Sequence, residues 1–201
     1  MTRKIKLAIL ISGNGSNMKA LINDMVDQDH TADPVLIVSD KPNAPGLMFA
    51  KNKNINTAVV NFESFSSRSI FESELANLIS LSGSEIICLA GFMQILSPGF
   101  VSSFKNPILN IHPSILPLFK GLNTHQRAIN SGMTLHGATV HLVTSKLDEG
   151  KILGQGVVPI LKNDTSESLA ARVLALEHRL YPTVVRKFLR GDTDPVLLWS
   201  T

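Results

Sequence analysis

The sequence predicts an α/β fold: a doubly wound, mostly parallel sheet of Rossmann-like kind, with added antiparallel strands in the C-terminal half and a long closing helix. Three observations predict it. Short apolar, β-branched runs alternate with longer helix-like segments through the first half of the chain, the rhythm of βαβ units. Several of these runs are apolar on both faces, as parallel strands covered by helices on two sides must be. In the second half two further runs follow each other with no helix between them, which predicts an antiparallel pair.

Taken in order, residues 5–12 (IKLAILIS), 35–39 (VLIVS), 58–60 (AVV), 85–90 (EIICLA) and 108–112 (ILNIH) read as strands. Between them, residues 16–27, 45–52 and 67–80 read as helices, the third with Ile70, Phe71, Leu75, Leu78 and Ile79 at helical spacing. Residues 136–144 (HGATVHLVT) and 152–160 (ILGQGVVPI) alternate as strands do. Residues 165–189 form one long closing helix. It opens in DTSES, which offers hydroxyl and carboxylate caps, and ends at Arg190 and Gly191, basic then glycine. No linker composition interrupts the 201 residues, so one domain is expected.

Composition narrows the classes. Hydrophobic residues at 44% and charged residues at 17% are those of a chain that buries a core rather than a disordered one. No apolar run approaches the roughly 18 residues that span a bilayer. The start, MTRKIKLAILIS, has basic residues before an apolar stretch, but Gly13, Asn14, Gly15 and Ser16 cut that stretch short with no small-residue cleavage site behind it. The single cysteine, Cys88, excludes an internal disulfide framework and fits a reducing cytoplasm. A net charge of +3, spread over 19 basic and 16 acidic residues without a dense basic run, makes no demand for nucleic acid.

Three stretches could carry chemistry. ISGNGSN, residues 11–17, follows the first strand and opens a helix, where free N–H groups suit a phosphate. It lacks the third glycine of a dinucleotide fingerprint and the Gly-Lys-Ser/Thr of a P-loop. Asp40, at the end of the second strand, stands where a ribose-binding acid would, which keeps a dinucleotide reading open. A turn with glycines for backbone reasons and a serine cap is the alternative. LNIHPSILPLFKG, residues 109–121, places His112 at the carboxyl end of a strand, where doubly wound sheets bind ligands. Asn110 lies two residues before it and so points to the same side. Side by side, the two can donate to one developing oxyanion, and the histidine can move a proton near neutral pH. The alternative is a histidine satisfied by backbone and an asparagine fixing a turn. SKLDEGK, residues 145–151, is a polar turn whose Asp148, brought against His112, would orient the imidazole and favour its charged form. By itself it reads as a solvated hairpin.

The remaining histidines and the cysteine read plainly. His136 and His141 are five apart in a strand-like run and face opposite sides, against a shared metal site; no zinc spacing occurs, and no metal is expected. Cys88 reads as a small core residue and His30 as a surface loop residue.

Taken together, ISGNGSN, LAGFMQILSP (89–98), LNIHPSILP, HGATVHLVT, LDEG and ARVLALEHRLYP (171–182) resemble the phosphoribosylglycinamide formyltransferases, the folate-dependent enzymes of purine biosynthesis, in order and spacing across nearly the whole chain. Asn-x-His-Pro-Ser followed by Leu-Asp-x-Gly is shared by the wider formyltransferase group. The resemblance implies transfer of the formyl group of 10-formyltetrahydrofolate to the amine of glycinamide ribonucleotide through a tetrahedral intermediate, without metal. It implies Asn110, His112 and Asp148 as the catalytic set. Gly15, Ser16 and Asn17 would bind the phosphate, and Glu177 the ribose hydroxyls. Met93, Gln94, Ile95, Leu96, Asn110, Val143 and Leu147 would bind the folate, with Met93 and Pro113 also touching the substrate. Residues 1 to about 110 would be the phosphate-binding half of the domain, and about 111 to 201 the folate and catalytic half. The partners implied are small molecules, with no nucleic acid or membrane, in a cytoplasmic monomer or homodimer.

Two positions depart from the family pattern. Gln94 stands where members often carry arginine, and Leu174 where a polar or basic residue is common; both are expected to alter affinity before reaction. Two rivals follow from the same motifs. One is another formyl-folate enzyme, such as a methionyl-tRNA formyltransferase, which usually adds a carboxyl-terminal tRNA-binding domain, or a formyltetrahydrofolate hydrolase. The other is a nucleotide-binding Rossmann module without catalysis.

Overall fold

The computed structural model describes residues 3–27, 29–192 and 194–199. The fold is α/β, and the chain divides into two compact units, Met1–Leu109 and Asn110–Thr201.

In the first unit, strands β1 (Ile5–Ile11), β2 (Ala32–Ser39), β3 (Asn56–Val59) and β4 (Ile86–Leu89) lie in the order β3-β2-β1-β4, all parallel. Helices α1 (Ser16–Met25), α2 (Pro45–Asn52), α3 (Arg68–Ser82) and α4 (Pro98–Ser103) alternate with them. β1 is central because it can be: Leu7, Ala8, Ile9, Leu10 and Ile11 are all fully buried, so only a strand with apolar side chains on both faces fits there. β2 starts earlier than the sequence suggests and contains Pro34, which has no N–H to give the ladder. The register of β1 against β2 slips by one at that level, between Leu7 and Ala8, and β3 pairs with β2 only from Leu36 onward.

Helix α3 is capped by Ser67, whose Oγ accepts from Ile70 N at 3.3 Å, and closes at Gly83. It buries Phe71, Leu75 and Ile79. Leu78 is half-buried and Ile70 exposed, so the core-facing stripe is narrower than the five-residue pattern. Helix α4 has no counterpart in the sequence reading. Six residues are under two turns and leave no apolar period, although the Ser97 cap and Pro98 at the first helical position mark it.

The second unit holds β5 (Ile108–His112, entered at Asn110), α5 (Thr124–Asn130), β6 (Leu135–Leu142), β7 (Ile152–Pro159), α6 (Ser166–Leu189) and β8 (Val196–Trp199), with strand order β5-β6-β7-β8. β6 and β7 are antiparallel, and β8 is parallel to β7. Neither α5 nor β8 follows from the sequence reading: α5 is seven residues long, and the four residues of β8 come after a helix that looked terminal. α6 is the long closing helix. Thr165 and Ser168 form a reciprocal capping box, and Arg172 grips Asp164 with both guanidinium nitrogens at 2.7 and 2.8 Å. Its buried stripe of Leu169, Val173, Leu176, Leu180 and Val184 packs on β6, β7 and β8. Among the described residues no helix is long and apolar enough to cross a membrane.

Candidate active site

In the second unit β5 ends where its side chains become polar. His112 is its last residue, buried, and Asn110 is half-buried two positions before it. Asp148 reaches them from the turn after β6. It adopts a left-handed backbone (φ 52°), a conformation that aspartate and asparagine tolerate better than most residues. The neighbouring Gly150 is required by contact: a Cβ there would lie 1.6 Å from the Leu142 carbonyl oxygen, so only glycine lets the turn fold back onto β6. This is the physical content of Leu-Asp-x-Gly.

The carboxylate meets two histidines. Asp148 Oδ2 lies 3.6 Å from His112 Nδ1, and Oδ1 lies 3.7 Å from His141 Nε2, with all three side chains under one-tenth exposed. Gly121 N donates to Oδ2 at 3.0 Å. His112 Nε2 donates to the Phe119 carbonyl at 3.1 Å. With that N–H fixed, a neutral ring presents a lone pair at Nδ1, and only the imidazolium carries a proton there, beside Asp148. His141 is held in the opposite sense. Its Nδ1–H donates to the Leu142 carbonyl at 2.9 Å, leaving Nε2 to accept from Asn110 Nδ2 at 3.2 Å. Burial, chiefly, holds the His141 pKa below its usual value; the Leu142 hydrogen bond and Asp148 oppose this, and His112 adds to it. A neutral His141 thus fixes the orientation of the Asn110 amide, one of whose N–H groups stays available.

Sequence reasoning missed His141. Nothing in its spacing marks it, because its partners stand 31 positions before and 7 after it, and a register irregularity between Val140 and His141 breaks the simple alternation of β6. His136 goes elsewhere, packing edge-on against His125 and Phe119. Burial above all lowers its pKa to about 4, with His125 and His112 adding to the effect and the Pro113 carbonyl opposing it. His30, read as a surface loop residue, is instead buried: its Nδ1 accepts from Ala32 N at 3.0 Å and its Nε2 lies 3.2 Å from Asp24. Cys88 is buried in β4.

Of the other candidates in this unit, Pro113 accepts from Thr124 Oγ1 through its carbonyl at 2.6 Å. Val143 is half-buried and Leu147 exposed, on the chain leading to Asp148. Glu177 is buried on α6, and Leu174 on the same helix is partly exposed. Glu149, beside Asp148, is hydrogen-bonded by Lys120 at 2.6 Å, which with the Lys146 charge holds its carboxyl below the usual range.

In the first unit, Gly15 takes a left-handed conformation (φ 62°) and starts the ten-residue helix α1 without a side-chain cap. Ser16 is half-buried and Asn17 buried. Ser12, just before the loop, accepts from Met93 N through Oγ at 2.8 Å and donates its own N–H to Gly91 O at 3.2 Å, tying loop 12–17 to segment 91–96. There Met93 and Ile95 are two-thirds exposed, Leu96 is half-buried and Arg68 donates to the Ile95 carbonyl. Gln94 turns away from solvent and donates Nε2 to Asp40 Oδ2 at 2.8 Å. That contact bears on the reading of Asp40 as a ribose acid: the carboxylate is buried, with Oδ2 engaged by Gln94 and Oδ1 unpartnered.

The chain matches the formyl transferase family over residues 5–185. It belongs to that family. It is 39% identical over 187 residues to phosphoribosylglycinamide formyltransferase of Escherichia coli (strain K12), an alignment covering 93% of this chain and 88% of that one. It is 42% identical over 190 residues to trifunctional purine biosynthetic protein adenosine-3 of Gallus gallus, covering 94% of this chain but 19% of the relative. The chain therefore spans 14% to 19% of the length of the trifunctional relatives it matches. The crystal structure of phosphoribosylglycinamide formyltransferase from Brucella melitensis superposes with a TM-score of 0.88 at 48% identity, covering 92% of this chain and 96% of that one. The family fold accounts for the mostly parallel strands, the antiparallel β6–β7 pair and the closing helix.

Proposed function

We propose that this formyl transferase moves the formyl group of 10-formyltetrahydrofolate to the amine of 5-phosphoribosylglycinamide, giving the formylated ribonucleotide and tetrahydrofolate. The observation that carries the reading is the convergence of Asn110, His112, Asp148 and His141 in a chain of this family. The amine nitrogen attacks the formyl carbon, a C–N bond forms, and the carbonyl electron pair moves onto oxygen. The spare Asn110 N–H and the Nδ1–H of protonated His112 donate to that oxyanion, donors worth about 3 to 4 kcal/mol each in the barrier. Asp148, 3.6 Å from His112 Nδ1, faces the imidazolium and, through water, takes the proton shed by the amine. Collapse of the intermediate breaks the bond to N10 of the folate, which leaves with a proton.

Gly15, Ser16 and Asn17 bind the phosphate at the uncapped start of α1, where a helix end favours an anion. Glu177 takes the ribose hydroxyls. Met93, Ile95, Leu96, Val143 and Leu147 supply apolar contacts to the folate and Asn110 a polar one, while Gln94, held on Asp40, contributes backbone. Met93 and Pro113 also border the ribonucleotide. The whole chain acts as one formyltransferase domain, on small molecules and without nucleic acid or membrane, as a cytoplasmic monomer or homodimer.

One assay tests the reading: release of tetrahydrofolate from 10-formyltetrahydrofolate with glycinamide ribonucleotide, its dephosphorylated riboside, methionyl-tRNA, or water alone. The ribonucleotide should react fastest, since binding a remote phosphate positions the amine. Equal rates with ribonucleotide and riboside would remove the phosphate assignment; fast release in water would make the protein a hydrolase.

A further inference from the structure

The loop that follows His112 is held by two separate sets of bonds. Its first part is tied to β6 and β7: Thr139 Oγ1 donates to Ser114 O at 2.7 Å and accepts from Leu116 N at 3.0 Å, while Gln155 Nε2 donates to Leu116 O at 2.8 Å. Its second part carries the two backbone atoms that hold the catalytic side chains. These are the Phe119 carbonyl on His112 Nε2 and the Gly121 N–H on Asp148 Oδ2.

That second part is gripped from α5 by Arg127. Its Nη1 donates to Lys120 O at 2.6 Å and to Leu122 O at 3.3 Å, and its guanidinium lies 5.6 Å from the Phe119 ring centroid. The contacts bracket both anchors. The helix carrying Arg127 is itself fixed at its first turn by Thr124 Oγ1 on the Pro113 carbonyl, next to His112. The grip is needed because Phe119 has φ 55°. The other described non-glycine residues with positive φ are Asn54, Asn123 and Asp148, types that visit this region readily; a bulky aromatic does not. The conformation is unfavourable for such a side chain and persists only where its surroundings hold it. The residue so held is the one whose carbonyl accepts from His112 Nε2.

We propose that Arg127 is a positioning residue: by clamping residues 119–122 it keeps the Phe119 carbonyl on His112 Nε2, so that Nδ1 is the nitrogen presented to Asp148 and to the reacting group. The inference rests on the reading of His112 as catalytic. An arginine suits the task because a planar fork can bond carbonyls while its face lies on a ring, which a lysine ammonium cannot do.

The test compares Arg127→Ala and Arg127→Lys with the wild type in the full chain, by two measurements. The first is steady-state turnover with glycinamide ribonucleotide. Arg127→Ala should lower kcat about tenfold while each KM stays within about twofold, and Arg127→Lys should recover part of the loss. The second, made without substrate, is the exchange of the His112 Nε2–H proton with water, followed by NMR. It should be about tenfold faster in Arg127→Ala, because the proton loses its fixed acceptor. Turnover and exchange both within about twofold of wild type would overturn the proposal. So would lost turnover with unchanged exchange, since the effect would then not pass through His112. Should the alanine variant fail to fold, Arg127→Lys and Arg127→Gln are read by the same criteria. If the wild type does not formylate the ribonucleotide, the functional reading fails while the exchange comparison still decides the clamp.

Discussion

Replacing Asn110 by alanine isolates the one donor of the cluster whose strength does not depend on its own ionisation. Its Nδ2 carries two hydrogens. One is committed to His141 Nε2 at 3.2 Å; the other is free for the oxyanion. Loss of such a donor costs about 3 to 4 kcal/mol in the barrier, so kcat should fall about 10²- to 10³-fold, with KM for the ribonucleotide changed by less than about threefold. A second, smaller effect falls on stability. His141 is 2% exposed, and its Nε2 would lose its donor inside the protein, at a cost of about 1 to 3 kcal/mol. Turnover is followed by tetrahydrofolate release and stability by urea unfolding on the same preparation. Asn110→Asp is the matching control, with the same size but an acceptor where the donor was, and a second carboxylate near Asp148; it should be as inactive as the alanine variant. A folded Asn110→Ala protein within about tenfold of wild-type kcat would refute the donor argument, as would an active Asn110→Asp.

His141→Ala should lower kcat about tenfold in the wild type and add little in the Asn110→Ala background, because His141 acts through the amide; additive losses in a double-mutant cycle would contradict this. Asp148→Asn keeps a residue that tolerates φ 52° and removes the charge 3.6 Å from His112. Turnover should fall at least about tenfold while phosphate-substrate affinity, measured by calorimetry, changes little, and an unchanged kcat would refute it. Ser16→Ala combined with Asn17→Ala should narrow the rate gap between ribonucleotide and riboside; an unchanged gap would contradict the phosphate site. His136, lowered to about pKa 4 when folded, binds its proton more readily when unfolded, near 6.5. Its contribution to stability is therefore full above about pH 6.5 and is lost as pH falls toward 4, a change on the order of 3 kcal/mol. Urea midpoints between pH 7 and 4.5 should show a shallower decline in His136→Gln than in wild type; equal slopes would refute it.

The sequence by itself determined the elements whose signals are local. β1 and β5 are legible as apolar runs ended by a glycine loop or a proline, and α6 by its DTSES opening and its Arg190-Gly191 end. The family was legible for the same reason: its motifs are short runs of adjacent residues. Asn110, His112 and Asp148 were legible as candidates on one strand end and one turn. Tertiary structure alone decided what those candidates touch. The neutral His141 that orients Asn110, the Phe119 carbonyl that selects the nitrogen His112 presents, and the Arg127 grip on that carbonyl's loop are contacts between residues separated by turns and strands, with no period to announce them. Tertiary structure also buried His30 behind α1 and spent Gln94 on Asp40. Short elements such as α4, α5 and β8 belong on that side too, because under two turns of helix or four residues of strand take their stability from what they pack against rather than from their own pattern.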